Sequence, residues 1–87
     1  MSYNVELRPE ALEDLKSIDS VVVDRVLKKL DWLKENFEIL TPKSVKGEFK
    51  GLFKLRVGDY RVLYTCDKKQ KVISVHLVGH RRDIYKS

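Results

Sequence analysis

Seven side chains in the second half of the chain suit work on phosphates: Lys54, Arg56, Arg61, His80, Arg81, Arg82 and Tyr85. Together they fit cleavage of an RNA phosphodiester without a metal. In such a reaction the neighbouring 2′-OH is the nucleophile, so the protein need not supply one. It needs a base for that proton, cations for the charge developing on the phosphorane, and an acid for the departing 5′-oxygen. Arginine offers a planar fork to two phosphate oxygens, whereas lysine is a point charge whose pKa falls when other cations crowd it. Histidine titrates nearest neutrality of all side chains, which makes His80 a candidate for either proton transfer. Tyr85 can stack on an exposed base or position a proton.

Each residue also has a plainer reading. Lys54 and Arg56 alternate along a strand and suit a solvated sheet face equally well. Arg61 opens an apolar strand, where an isolated cation is costly. Its partner is either a phosphate or a structural ion pair with Asp59 or Asp83. Arg81 and Arg82 are phosphate ligands or a loose tail, and His76, between Val75 and Leu77, is a packed or surface residue. Cys66 closes an alternating strand as a small hydrophobe more readily than as a nucleophile. No glycine-rich phosphate loop, His-Glu-x-x-His or nucleophile elbow is present. The acids of this half are Glu48, Asp59, Asp67 and Asp83, with Asp59 and Asp67 in turns, so no catalytic carboxylate pair forms. One cysteine and two histidines cannot build a structural zinc site or an internal disulfide, and no cofactor is expected.

The charge is unevenly divided. Residues 1–45 carry seven Lys/Arg against nine Asp/Glu, whereas residues 46–87 carry eleven against four. A basic half that also holds Phe53, Tyr60, Tyr64 and Tyr85 is an electrostatic footprint for a polyanion. The alternative is a highly charged surface whose signs happen to segregate. With 87 residues, 43% hydrophobic and 36% charged, the chain fits one globular domain over residues 1–87. Its apolar runs are too short for a membrane span and its N-terminus alternates, so a cytoplasmic protein is expected.

The elements that must hold these residues follow from periodicity. Residues 2–7 alternate as a half-buried strand, with Tyr3, Val5 and Leu7 on one side. Pro9 suits a first helical turn, and Ala11, Leu12, Leu15 and Ile18 follow at helical spacing. Asp19-Ser20 caps a second helix whose apolar stripe is Val23, Val26, Leu27, Leu30, Leu33 and Phe37. Trp32 falls off that stripe and suits partial packing better than binding. Residues 41–51 form a connector with room for a short edge strand. Phe53 to Val57, Tyr60 to Cys66 and Val72 to Val78 are strands, joined by turns at Gly58-Asp59 and at Asp67 to Lys71. The fold class is therefore α+β in the order β-α-α-β-β-β. The N-terminal strand and a helical hairpin pack on an antiparallel sheet, and the cations collect on the open sheet face.

Two strings carry a resemblance: Gly51-Leu-Phe-Lys-Leu-Arg-Val-Gly-Asp-Tyr-Arg-Val-Leu-Tyr64, and Val78-Gly-His-Arg-Arg-Asp-Ile-Tyr85. They resemble the RelE/ParE superfamily of toxins from prokaryotic toxin–antitoxin pairs, over almost the whole chain. The resemblance implies a ribosome-dependent endoribonuclease that cuts mRNA at the A site, leaving a 2′,3′-cyclic phosphate or its opened product. It also implies a RelB-like antitoxin that covers the basic surface in a hetero-oligomer. By resemblance, Lys54, Arg61, Arg81 and Tyr85 are the catalytic positions. Lys54 is the candidate base, Arg61 and Arg81 hold the scissile phosphate, and Tyr85 orients the substrate. Arg56 matches a position that touches RNA, and His80, Arg82 and Lys50 are further RNA-binding candidates. One departure is Leu52, where ribonucleases of the family often have a second lysine; Lys50, His80 or Arg82 would have to compensate. That departure keeps two other readings in view: a ParE-like gyrase inhibitor acting by binding, and an inactive member that binds only an antitoxin or nucleic acid.

Overall fold

The computed structural model describes residues 3–37, 43–44, 51–80 and 82. The order is β1 (Asn4–Leu7), α1 (Pro9–Lys16), α2 (Ser20–Asn36), β2 (Lys43–Ser44), β3 (Phe53–Val57), β4 (Tyr60–Asp67) and β5 (Val72–His80). The helix starts follow local chemistry. Pro9 occupies the first turn of α1, where a missing N–H costs nothing. At the start of α2 the Asp19 carboxylate accepts from the Val21 N–H at 2.8 Å, meeting one of the donors a helix start leaves unpaired.

All five strands form one sheet in the order β1-β5-β4-β3-β2. The three hairpin-linked strands pair antiparallel, as their short turns require, and β2 occupies the edge place expected of the connector. The sheet is nevertheless mixed, because β1 lies parallel to β5, from Asn4 opposite Val72 to Leu7 opposite Val75. The helical hairpin supplies the start of the crossover that a parallel pair needs, and it leaves both helices on one face of the sheet.

Between helices and sheet lies the main core. Val26, Leu30 and Leu33 of α2, with Phe37 just after it, meet Leu55, Val62, Tyr64, Ile73, Val75 and Val78 of the sheet. Three aromatic contacts stitch it together: Tyr3 to Phe37 at 5.0 Å, Phe37 to Tyr64 at 6.3 Å and Phe53 to Tyr64 at 5.7 Å between ring centres. Two residues of the expected stripes face out instead, Leu12 at 46% and Leu27 at 43% exposure. The inward rows run through Ala11 and Leu15 on α1, continued by Ile18 after it, and through Val22, Val26, Leu30 and Leu33 on α2. Leu12 and Leu27 each lie one residue, about 100°, off those rows. A second, smaller cluster sits on the opposite sheet face, where Leu63 is fully buried under Leu52 and Leu77. Buried on both faces, β4 is the central strand of the fold.

Candidate nucleic-acid interface

Three of the seven candidates share the open sheet face. Leu55 and Val57 pack toward the helices, so their neighbours Lys54 and Arg56 point the other way. Across the hairpin, Arg56 stands directly opposite Arg61 and Lys54 directly opposite Leu63. The turn that fixes this register is Gly58-Asp59, with Gly58 at φ 58°, the glycine-first arrangement that type II′ hairpins use. A lysine and two arginines thus lie within two residues of one another on adjacent strands.

Arg61 is the most constrained of them, at 8% exposure. Its Nη1 donates to the Gly58 carbonyl at 3.2 Å and to the Tyr60 carbonyl at 3.0 Å. The guanidinium is therefore folded back over the turn beside Arg56. Two cations directly opposed across a strand pair repel one another. An anion beside such a pair offsets that repulsion, a role that a phosphate can fill.

His80 falls on the other side. It pairs across the ladder with Tyr60, itself opposite the core-facing Val57, and its ring meets the Tyr60 ring edge-on at 5.4 Å. His80 Nδ1 accepts from the backbone N–H of Arg82 at 3.2 Å, which places the imidazole proton on Nε2 in this arrangement. The reason for its placement is a bulge. Leu63 pairs with Leu77 but Tyr64 pairs with Val75, leaving His76 as the extra residue of β5. His76 Nε2 lies 2.9 Å from Thr65 Oγ1, which ties the bulge down. Past it the alternation of β5 reverses, so Leu77 and Gly79 face the cations while Val78 and His80 face the helix layer. Arg82 is exposed just beyond β5. Lys50, Arg81 and Tyr85 lie outside the described residues.

Two positioning features are hard to read in sequence. The Val78 N–H lies beyond the last β1 partner, at Val75, and donates to Asp14 Oδ2 of α1 at 3.0 Å. That bond fixes the stretch of β5 leading to His80. The other is Leu52, which packs with Leu77 on Leu63 and so lids an apolar cluster beside Lys54. Cys66 is half-buried and packs against the core. Burial pushes its thiol up from the ordinary value, against the pull of Lys68 and with a smaller push from Asp67. Among the described residues, no three His, Cys, Asp or Glu side chains are grouped to hold a metal ion, and no helix is long and apolar enough to cross a membrane.

Comparison with known proteins places this geometry. Residues 5–85 match the family of ParE toxins of type II toxin–antitoxin systems. A putative RelE-like toxin protein of Escherichia coli is 32% identical over 98% of this chain and 92% of its own. Toxin RelG of Mycobacterium tuberculosis is 28% identical over 99% of each. The RelBE2 toxin–antitoxin complex of Mycobacterium tuberculosis contains a chain that superimposes with a TM-score of 0.81 at 26% identity, covering 93% of this chain and all of the other. A substituted RelE toxin of Escherichia coli in the free state gives 0.76 at 26% identity, over 99% and 90%. Matched along nearly its whole length, the chain belongs to the RelE/ParE superfamily of toxins of type II toxin–antitoxin systems.

Proposed function

We propose that this toxin is a ribosome-dependent endoribonuclease that cuts mRNA at the A site without a metal ion. The observation that carries the reading is the nearly buried Arg61, set opposite Arg56 and two ladder positions from Lys54. In the proposed reaction the 2′-oxygen attacks the adjacent phosphorus and the P–O5′ bond breaks. A 2′,3′-cyclic phosphate and a free 5′-hydroxyl result, with one proton taken from the 2′-OH and one given to O5′. Lys54 is the candidate base, Arg61 and Arg81 the ligands of the phosphorane oxygens, and Tyr85 the group that orients the substrate. Arg56, Lys50 and Arg82 hold the flanking RNA. His80 enters the proton transfers only if its ring leaves Tyr60, so we assign it RNA binding or support of the adjacent Arg81. A cognate RelB-like antitoxin is the expected partner, in keeping with relatives solved as complexes with RelB.

The matching family is that of ParE toxins, and the position considered for a second lysine is the packed Leu52. Both observations favour the second reading, inhibition of DNA gyrase by binding. Primer extension on an mRNA in a translating extract separates the two. New stops inside A-site codons are expected, absent without ribosomes and absent with Arg81→Ala. Intact message and undisturbed translation, with loss of gyrase supercoiling, would establish the second reading instead.

A further inference from the structure

At the edge of the sheet, α2 and the β3–β4 turn border a shallow basic concavity of about 430 Å³. Arg25, Lys28, Lys29 and Trp32 form its helical wall, and Arg56, Val57 and Gly58 form the other. Among the described residues that line it, four are cations and none is an acid. On the helix, Asp24 holds Lys28 at 3.1 Å in a well-exposed pair, the kind of bond that water and phosphate exchange at little cost. Trp32 is 41% exposed, and the ammonium of Lys29 lies 4.3 Å from the centre of its ring. An indole left open among cations is poorly explained by packing. It is the pairing that grips single-stranded nucleic acid, with a base on the aromatic and phosphates on the cations.

Arg56 decides which polyanion. It borders this concavity and stands opposite Arg61 on the sheet, so the two sites adjoin at the β3–β4 hairpin and one chain of phosphates can run from one to the other. We propose that the concavity binds an unpaired nucleotide of RNA, its base against Trp32 and its phosphates on Arg25, Lys28 and Lys29, as a second anchor beside the cleavage site. The inference rests on the reading of this protein as an RNA-directed toxin and names a contact outside the site that reading uses.

Trp32 is the one tryptophan of the chain, so its fluorescence reports the concavity directly. The probe is a 2′-O-methyl RNA oligonucleotide, which lacks the attacking hydroxyl and is not consumed. Saturable quenching of Trp32 emission is expected. The variant carrying Arg25→Gln, Lys28→Gln and Lys29→Gln should bind the fluorescein-labelled oligonucleotide at least about tenfold more weakly. Its slope of log K against log salt should be shallower by about 2, for three phosphate contacts at about 0.7 each. Trp32→Phe should weaken binding several-fold, and all variants should unfold at the wild-type temperature because these side chains are outside the core. Wild-type affinity and slope in the triple variant, or unchanged Trp32 emission on saturation, would overturn the proposal. Tighter quenching by polyglutamate than by the RNA would overturn it too, in favour of an acidic protein partner. Quenching with no cleavage in the primer-extension assay would leave this contact standing and remove only the nuclease reading.

Discussion

A guanidinium at 8% exposure on a central strand has both a structural and a chemical claim on its residue type, and the two are separable. The Nη1 of Arg61 is shared between two carbonyls of its own turn, and a hydrogen bond from a charged donor is worth about 1.5–3 kcal/mol. Arg61→Met should therefore lower stability by about that amount in urea unfolding. Arg61→Lys keeps the charge but not the planar fork. It should depress cleavage at least about tenfold while costing less stability, whereas the exposed Arg56→Lys should change cleavage only about two- to threefold. Equal effects at both positions would mean that net charge, not the fork, is what the substrate feels. Tyr64 makes a prediction of a different kind. Burial, with a smaller contribution from Cys66, pushes its hydroxyl from 10.0 to about 12. Above pH 10 the unfolded chain then releases the tyrosine proton while the folded one keeps it, so stability falls as pH rises toward 12. Tyr64→Phe should flatten that fall in thermal melts across the same range, and an unchanged alkaline slope would place the loss elsewhere.

At the scale of elements, the geometry of the site depends on how β5 is anchored. Asp14 reaches from α1 to the Val78 N–H at a sheet edge that β1 does not cover. Asp14→Ala leaves that donor unpaired and should cost about 1–3 kcal/mol. It should also lower cleavage, because β5 leads directly into His80 and Arg81. Asp14→Asn, which retains an acceptor oxygen, should recover most of both, and failure of that rescue would mean that the charge matters more than the bond. Asp19→Ala removes the α2 cap and should cost about 0.5–2 kcal/mol without touching cleavage beyond that loss. The sequence made many of these elements legible, since alternation, Pro9 and the Asp19 cap are local signals. The parallel seat of β1 was not legible, because it depends on where a crossover returns. Nor was the bulge at His76, which has no composition of its own and reverses the faces of Leu77 to His80. Lys54, Arg56 and Arg61 were placed together by a two-residue turn whose chemistry is visible in sequence. The seat of His80 on the helix side follows from that one extra residue, which alternation alone does not reveal.

Across the whole molecule the charges are sorted by position in the sheet as well as along the chain. Glu6, Glu10, Glu13 and Asp14 belong to β1 and α1 at one edge of the sheet. Lys54, Arg56 and the α2 lysines Lys28 and Lys29 lie toward the β3–β4 turn. Exposed pairs such as Lys16 with Glu13 at 3.2 Å contribute little to stability, so the arrangement matters for what approaches rather than for folding. A polyanion meets a positive edge and a negative edge, and it is turned before contact. Such steering acts over about a Debye length, roughly 10 Å at 0.1 M salt, and is lost as salt shortens it. Stopped-flow mixing with 2′-O-methyl RNA at about 50 and 200 mM salt, a range over which phosphate-led binding weakens steeply, should show most of the change in the association rate. Replacing Glu10 and Glu13 by glutamine should blunt that dependence while leaving dissociation almost unaltered, since both belong to α1 and neither lines the basic concavity. If salt instead acted mainly on dissociation, the phosphates would be held by short, dry contacts such as those of Arg61. The segregation of charge would then have no part in recognition.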